Sequence, residues 1–183
     1  VRDQIRADIL ARGYNTQIGA FTQSYDSDVL DASNLLLPLV RFIAPDDPRM
    51  RSTVDRIMER LTDERGFVYR YLAGDGLPGG EGTFTICTFW LVDNLALQGR
   101  IAEARSLFER LLGYAGHLGL FSEEIDQYGK MALGNYPQAF THIALINSAH
   151  NLKVAQMRAA EHHTDPLIAA IRLNKPSEWS RKY

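Results

Sequence analysis

The clearest helical pattern in this chain of 183 residues runs from residue 84 to residue 112 and reads FTICTFWLVDNLALQGRIAEARSLFERLL. Its first half, 84–97, is apolar on nearly every side, which is typical of a helix buried in a core. Gly99 interrupts the pattern, and residues 101–112 then carry an apolar stripe opposite charged residues. We therefore predict a buried inner helix, a tight turn, and an amphipathic outer helix that covers it.

The same couplet of helices occurs elsewhere in the chain. Residues 29–43 are apolar nearly all round and residues 48–61 have one apolar face, so they predict another inner and outer pair. A third inner helix is predicted over 137–152. The inner helices start at residues 29, 84 and 137, which are 55 and 53 residues apart. This spacing indicates an internal repeat of inner helix, turn, outer helix and long loop.

The repeat predicts an all-α fold of inner and outer helix couplets. We expect one domain over 1–183, in which 155–183 form a C-terminal tail with one further short helix at 166–173. A ring of such couplets closes with six, and this chain supplies about half of them. The uncovered edge, formed by the helices at 29–43 and 137–152, would expose apolar surface. We therefore expect self-association or contact with a missing N-terminal half, since the chain also begins without methionine.

The long connections between couplets are the predicted binding surface. If each outer helix returns beside its inner helix, the loops at about 12–28, 63–82 and 116–136 emerge at the same end of the fold. Loops of this length in a compact domain are usually functional or disordered. They carry many carboxylates and six of the tyrosines, a composition that suits a sugar: Tyr14, Tyr25, Tyr69, Tyr71, Tyr128 and Tyr136.

Composition excludes several classes of partner. The net charge of −2, without a basic cluster, argues against nucleic acid. The longest apolar run, near 84–92, is too short to cross a membrane. Cys87 is the only cysteine, which excludes an intrachain disulfide and favours a reducing, cytoplasmic location. Adjacent His162 and His163 lack a spaced third ligand, so we predict no metal site, and no cofactor motif is present.

The candidate chemistry lies in the segment GLFSEEID, residues 119–126. Glu123 and Glu124 follow an apolar segment directly, where a working acid or base would be placed, although a solvated loop carboxylate is the alternative. Glu81, in a glycine-rich loop, is either a ligand-facing group or part of a simple turn before the helix at 84. His142 is more typical of a hydrogen-bonded core residue than of a catalyst, and Trp90 of core packing.

Several sequence blocks in fixed order resemble glycoside hydrolase family 15, which contains glucoamylases, glucodextranases and bacterial trehalases. The resemblance extends from about Asp31 to Leu152. It depends on the segments PGGEGTF at 78–84, CTFWLV at 87–92, LFSEE at 120–124 and GNYPQAF at 134–140.

The resemblance implies the C-terminal half of an (α/α)6 barrel from an inverting α-glucoside hydrolase of the trehalase or glucoamylase type. In that family Glu123 matches the position of the general base, and Glu124 stands where many relatives have glutamine. The candidate substrate-binding residues are Glu81, Tyr69, Tyr136 and Glu124. No metal or organic cofactor is implied.

The same resemblance implies that half of the catalytic machinery is absent. The general acid of the family is expected upstream, in a tryptophan-glutamate context, whereas the tryptophans here are Trp90 and Trp179. Glu178 precedes Trp179 but follows the base motif, so the order is wrong. Because inversion needs an acid and a base on opposite sides of one bond, the chain by itself is expected not to hydrolyse α-glucosides.

Two other interpretations remain open from the sequence. A non-catalytic helical-repeat scaffold would bind a protein and leave its loop carboxylates scattered on the surface. A phosphorylase on a similar toroid would use phosphate instead of activated water and would need basic residues near Glu123. Lys130 is the basic residue close to it in sequence.

Overall fold

The computed structural model describes residues 1–74, 81–129 and 131–164, with the backbone alone for 162–164. The helices are α1 (Arg2–Arg12), a 3-10 turn (Ala32–Leu35), α2 (Leu36–Leu39), α3 (Pro48–Arg60), α4 (Thr85–Leu97), α5 (Ile101–Leu112) and α6 (Ala139–Thr164). Short strands join them: β1 (Tyr14–Asn15), β2 (Ala20–Phe21), β3 (Thr83–Phe84), β4 (Glu124–Ile125) and β5 (Ala132–Leu133). The predicted all-α architecture is confirmed, with short strands that the sequence did not indicate.

Helix α4 is the centre of the core. It packs most extensively against α6 and next against α5, and its residues are buried on almost every side. Phe89 is fully buried and its ring meets Phe121 edge-on at 5.8 Å. The prediction of an inner helix at 84–97 is therefore confirmed to within one residue.

The predicted outer helices are also confirmed. Helix α3 begins at Pro48 after Asp47, whose Oδ1 accepts a hydrogen bond from the backbone N–H of Arg49 at 2.9 Å. This is a side-chain N-cap followed by proline in the first turn. Helix α5 buries one face, and Arg100 before it binds Asp55 of α3 at 2.6 Å, which ties the two outer helices together.

The predicted inner helix at 29–43 is wrong. The chain forms the 3-10 turn and the single turn α2, and Arg41 then adopts a left-handed φ of 61°. A continuous helix would place Pro38 in its interior, where it lacks an N–H and clashes with the preceding turn. In the structure Pro38 lies in the first turn of α2, where proline is tolerated.

Helix α6 is longer and less buried than predicted. It continues past residue 155 to Thr164, into the segment predicted as a tail, while the helix predicted at 166–173 lies outside the described residues. One face packs on α4, through Ala144, Ser148 and Leu152 among others. Phe140, Ile143 and Ile146, which we predicted as core, are 66%, 55% and 66% exposed. We call these three residues, with Met157 further along, the open face of α6.

The second and third long loops meet, as their predicted placement at one end of the fold requires. Strand β4 pairs with β3 on one side and with β5 on the other, in antiparallel register. The first loop forms the β1–β2 hairpin and packs on α3, where Thr53 accepts a hydrogen bond from the N–H of Phe21. The three-stranded sheet therefore holds the segment of Glu123 beside the start of α4.

A buried carboxyl lies between α4 and α6. Asp93 is almost fully buried and accepts a hydrogen bond from Asn151 Nδ2 at 3.1 Å. Burial raises the pKa of Asp93 to about 6, because the charged form loses its hydration, although hydrogen bonds from Asn151 and Ser148 oppose the shift. The folded chain therefore holds a proton on Asp93 at pH values where the unfolded chain has released it.

The contribution of Asp93 to the free energy of unfolding should therefore decrease as pH rises from about 4 through 6 and level off above that range. Asp93→Asn removes that dependence and should raise the free energy of unfolding at pH 8, by on the order of 1–3 kcal/mol. Urea unfolding of both proteins at pH 5 and pH 8 measures it. Asp28→Asn, an exposed change in the first long loop, is the control. An Asp93→Asn chain that is less stable than wild type at pH 8 would contradict the prediction.

Candidate active site

A cleft of about 210 Å³ opens between the start of α4, the segment before β4 and the start of α6. Phe84, Ile86 and Trp90 form an apolar wall, and polar groups come from four other segments. The remaining lining residues are Asp31, Ser33, Arg70, Cys87, Glu123, Gln138, Phe140 and Thr141. The cleft thus combines aromatic rings, one cation and two carboxylates, so it has the apolar wall and the few polar groups of a small-molecule site.

Backbone pairing fixes the position of Glu123. Its N–H donates to Asn135 O at 3.0 Å, and its carbonyl accepts from the N–H of Thr85 at 2.9 Å. Because Thr85 begins α4, Glu123 is tied directly to the first turn of the central helix. The half-buried side chain lies on the cleft.

Asn135 orients the Glu123 carboxylate. Its backbone N–H and its side-chain Nδ2 donate to the same oxygen, Oε2, at 3.1 and 2.9 Å. Among the described residues no group donates to Oε1. One oxygen is therefore fixed, and the other can accept a proton from a bound water.

Glu124 lies apart from the cleft lining. As the next residue along β4, its side chain projects to the opposite face, and Oε2 accepts from the N–H of Gly82 at 2.9 Å. Burial raises the pKa of Glu124 above its ordinary value, the Gly82 hydrogen bond lowers it, and the charges of Glu81 and Glu123 raise it further. Glu124 therefore joins β4 to the end of the glycine-rich loop, where Glu81 is exposed.

The structure does not bring the predicted tyrosines to the cleft. Tyr69 is half-buried against the core, and its N–H donates to Leu61 O. Tyr136 is 48% exposed, and its hydroxyl occupies the space beside Gly116 where a side chain would otherwise lie. Among the described lining residues there is no tyrosine, so substrate contacts by Tyr69, Tyr136, Glu81 and Glu124 stay predictions.

Two cleft residues were not among the predicted substrate-binding residues. Arg70 follows Tyr69, and its guanidinium lies 5.9 Å from the ring centre of Phe84, in cation–π contact. Trp90, interpreted as core, is half-buried and forms part of the cleft wall. The sequence of an apolar helix does not show which of its aromatic rings faces solvent. For Arg70 a signal was available, because it lies in a loop that carries tyrosines.

Other chemistry is absent from the described part of the cleft. Burial raises the pKa of the Cys87 thiol, so Cys87 stays protonated and is a poor nucleophile. Within residues 1–74, 81–129 and 131–164, no group of three His, Cys, Asp or Glu side chains could hold a metal ion. The side chains of His162 and His163 lie outside the described structure.

No helix in the described ranges is long and apolar enough to cross a membrane.

A helical fold with a carboxylate, a cation and aromatic rings at the end where its loops meet is the arrangement expected of a glycosidase. The model of the glycosyl hydrolases family 15 matches residues 1–150, and the chain belongs to that family. The predicted resemblance is thereby confirmed.

Curated relatives in this family are named trehalases. The chain is 49% identical to a trehalase of Mycobacterium tuberculosis over 162 residues, which are 87% of this chain and 24% of that protein. It is 47% identical to a trehalase of Mycolicibacterium smegmatis over 179 residues, covering 96% of this chain and 26% of that protein. The chain therefore spans about a quarter of the length of these relatives.

Solved structures support the fold. A wild-type glycosidase superposes with a TM-score of 0.70 at 22% identity, over 82% of this chain and 43% of that chain. A variant glycosidase in complex with glucose gives 0.68 at 23% identity, with the same coverage. The match to rather less than half of a glycosidase chain agrees with the predicted half barrel.

The close approach of Gly134 to Glu123 can be tested. Gly134 has a φ of 68°, and a Cβ there would lie 2.7 Å from Glu123 Oε2 and 2.9 Å from its Cβ. Gly134→Ala therefore combines backbone strain of about 1–2 kcal/mol with displacement of the Glu123 side chain. We expect it to lower the free energy of unfolding by more than that strain alone.

Gly119→Ala is the matched control for this substitution. Gly119 has a φ of 72° but no neighbour within 4 Å of the added Cβ, so only the strain applies. Urea unfolding compares the two variants. Equal destabilisation by both substitutions would show that Gly134 is not needed for the placement of Glu123.

Proposed function

We propose that this chain is the part of an inverting, trehalose-hydrolysing enzyme that carries the general base, Glu123. The single observation that carries the proposal is the Glu123 carboxylate, which lies on the cleft with Oε2 held by Asn135 and Oε1 without a described donor. A general base needs one oxygen that can reach a water and a second group that fixes its direction. The names of the trehalase relatives supply the substrate.

Among the described residues, the cleft offers no second carboxylate suited to act as the general acid. Asp31 is the other carboxylate among the described lining residues, and both its oxygens are engaged: Oδ1 accepts from Ser33 N at 2.7 Å and Oδ2 from Gln23 Nε2 at 3.1 Å. It therefore acts as a cap for the 3-10 turn. An inverting enzyme needs its acid about 6.5–9.5 Å from the base, and we assign that acid to the rest of the parent protein.

The other cleft residues suit the binding of a sugar. Trp90 offers a half-buried ring on which a pyranose can stack, and Arg70 and Gln138 offer hydrogen-bond donors to its hydroxyl groups. A scaffold protein would have no reason to gather these groups with Glu123. The alternative of a phosphorylase has one supporting observation, since Arg70 is a cation that lines the cleft. Lys130, the basic residue named for that alternative, lies outside the described residues.

Glu123→Gln in the full-length parent protein should lower kcat for trehalose by about 10²–10⁴-fold, because the amide cannot accept a proton from water. Glu124→Gln is the matched control: its amide oxygen can still accept from Gly82, so we expect a loss of less than about tenfold. Glucose release, followed with and without inorganic phosphate, is the measurement. Near-normal turnover by Glu123→Gln would refute the assignment, and cleavage that requires phosphate would indicate the phosphorylase.

The open face of α6 is where we propose that the rest of the barrel docks. Phe140, Ile143 and Ile146 lie one turn apart on one side of the helix and are all more than half exposed. Such a continuous apolar strip marks an interaction surface. The chain covers about a quarter of its trehalase relatives, so the occupant we assign is the preceding portion of the parent polypeptide.

Separate expression of the two portions tests this docking. The 183-residue chain alone should release no glucose from trehalose, and mixing it with the preceding portion should restore activity. Ile143→Glu on the open face should abolish the restoration, whereas Leu118→Glu, at a still more exposed position in a turn, should not. Activity of the mixture that is insensitive to Ile143→Glu would contradict the proposal. A stable homodimer broken by Ile143→Glu would assign the face to self-association instead.

A further inference from the structure

His142 lies in the first turn of α6 and faces the segment that leads to Glu123. Its half-buried ring meets the ring of Phe121 edge-on, with centroids 5.9 Å apart. The N–H of Phe121 donates to Nε2 at 3.3 Å, and Nδ1 lies 2.7 Å from the carbonyl oxygen of Gln138. The expected hydrogen-bonded histidine is confirmed, but its partner is the backbone two residues before the candidate base.

The two hydrogen bonds define the protonation state of the ring. A backbone N–H can only donate, so Nε2 of His142 must accept, and the carbonyl of Gln138 can only accept, so Nδ1 must carry the proton. Both requirements are met by one neutral tautomer. The doubly protonated ring has no acceptor for the N–H of Phe121.

Three further hydrogen bonds hold the same segment. Gln138 N donates to Phe121 O at 3.0 Å, Thr141 Oγ1 donates to Ser122 O at 3.3 Å, and Glu123 N donates to Asn135 O at 3.0 Å. The start of α6 and the chain before it thus fix every peptide from Phe121 to Glu123. Among these bonds, the one from the N–H of Phe121 is the one that depends on the His142 ring.

We propose that His142 is a positioning residue: in its neutral form it fixes the peptide at Phe121 and thereby the direction of the Glu123 carboxylate. The inference rests on the proposed role of Glu123 as the base.

The surroundings of the ring contain few other titratable groups. Its direct partners, Phe121 and Gln138, do not titrate, and among the described residues no carboxylate forms an ion pair with it. Helix α4, which packs on α6, carries Cys87 and Asp93, and Asp93 binds Asn151, nine residues further along α6. Within residues 121–123, Glu123 is the titratable group. Variants that differ only at position 142 share all these groups, so their contributions cancel in a comparison.

Two amide substitutions separate the two nitrogens of the ring. In His142→Gln the amide oxygen can take the place of Nε2 and accept from Phe121, whereas in His142→Asn the amide nitrogen takes the place of Nδ1 and the acceptor is lost. In the full-length parent protein we expect His142→Gln to keep kcat for trehalose within about threefold. His142→Asn should lower kcat about 10- to 100-fold with KM little changed, since a misplaced catalytic group costs that much.

The split between kcat and KM separates a positioning role from a role in substrate binding. Equal kcat for the two variants, or a loss in His142→Asn that appears in KM and not in kcat, would overturn the proposal.

Hydrogen exchange tests the contact without activity. The Phe121 amide, measured in the parent protein without substrate, should exchange faster in His142→Asn than in His142→Gln, while the Ser148 region of α6 stays equal in both. Equal exchange at Phe121 would refute the contact. A wild-type parent that releases no glucose from trehalose would instead refute the proposed function, and the exchange experiment would still decide the role of His142.

Discussion

The burial of α4 on almost every side is the constraint on which the rest of the structure depends. A helix without a polar face must be covered by other elements all round, and α5, α6 and the 3-10 turn provide this cover. The first turn of such a helix is also the place where its backbone N–H groups lack partners within the helix. Glu123 supplies one partner through the carbonyl that binds Thr85 N, so the candidate base is part of the way the central helix begins.

The polar residues of α4 fix its neighbours rather than face water. Thr88 accepts from the N–H of Val68, Asn94 donates to Leu35 O at 2.8 Å, and Asp93 binds Asn151 of α6. Each residue ties the helix to a different element. Buried polar groups are expensive unless they are paired, so these contacts specify which segments lie beside the helix. The position of Val68 matters for the cleft, since Arg70 follows it by two residues.

The sequence predicted those features that depend on burial along a regular helix. The helices at 48–61, 84–97 and 101–112 have a clear period, and each appears in the structure within one residue or so. The failure at 29–43 came from giving apolar composition more weight than Pro38. The two-residue strands are too short to have a period of their own, and their pairing depends on loops that only the folded chain brings together.

The candidate site was predictable to the extent that it is encoded locally. Glu123 stood out by its segment and by resemblance, whereas its partner Asn135 is twelve residues away, and nothing in the spacing marks that bond. Trp90 and Phe140 were interpreted as core because their helices are apolar. Whether such a ring is covered depends on the neighbouring elements, and here both rings reach the cleft.

Phe140 belongs to the cleft and to the open face of α6 at once, and this shared position joins two properties of the proposed enzyme. Under the proposed docking, the element that covers the open face would also border the cleft at Phe140, so that closure of the barrel and completion of the site would be one event. A substrate that contacts both walls then stabilises the closed barrel by its binding free energy. It follows that a polar substitution on the open face should weaken substrate binding as well as association, even where it lies several turns from Glu123.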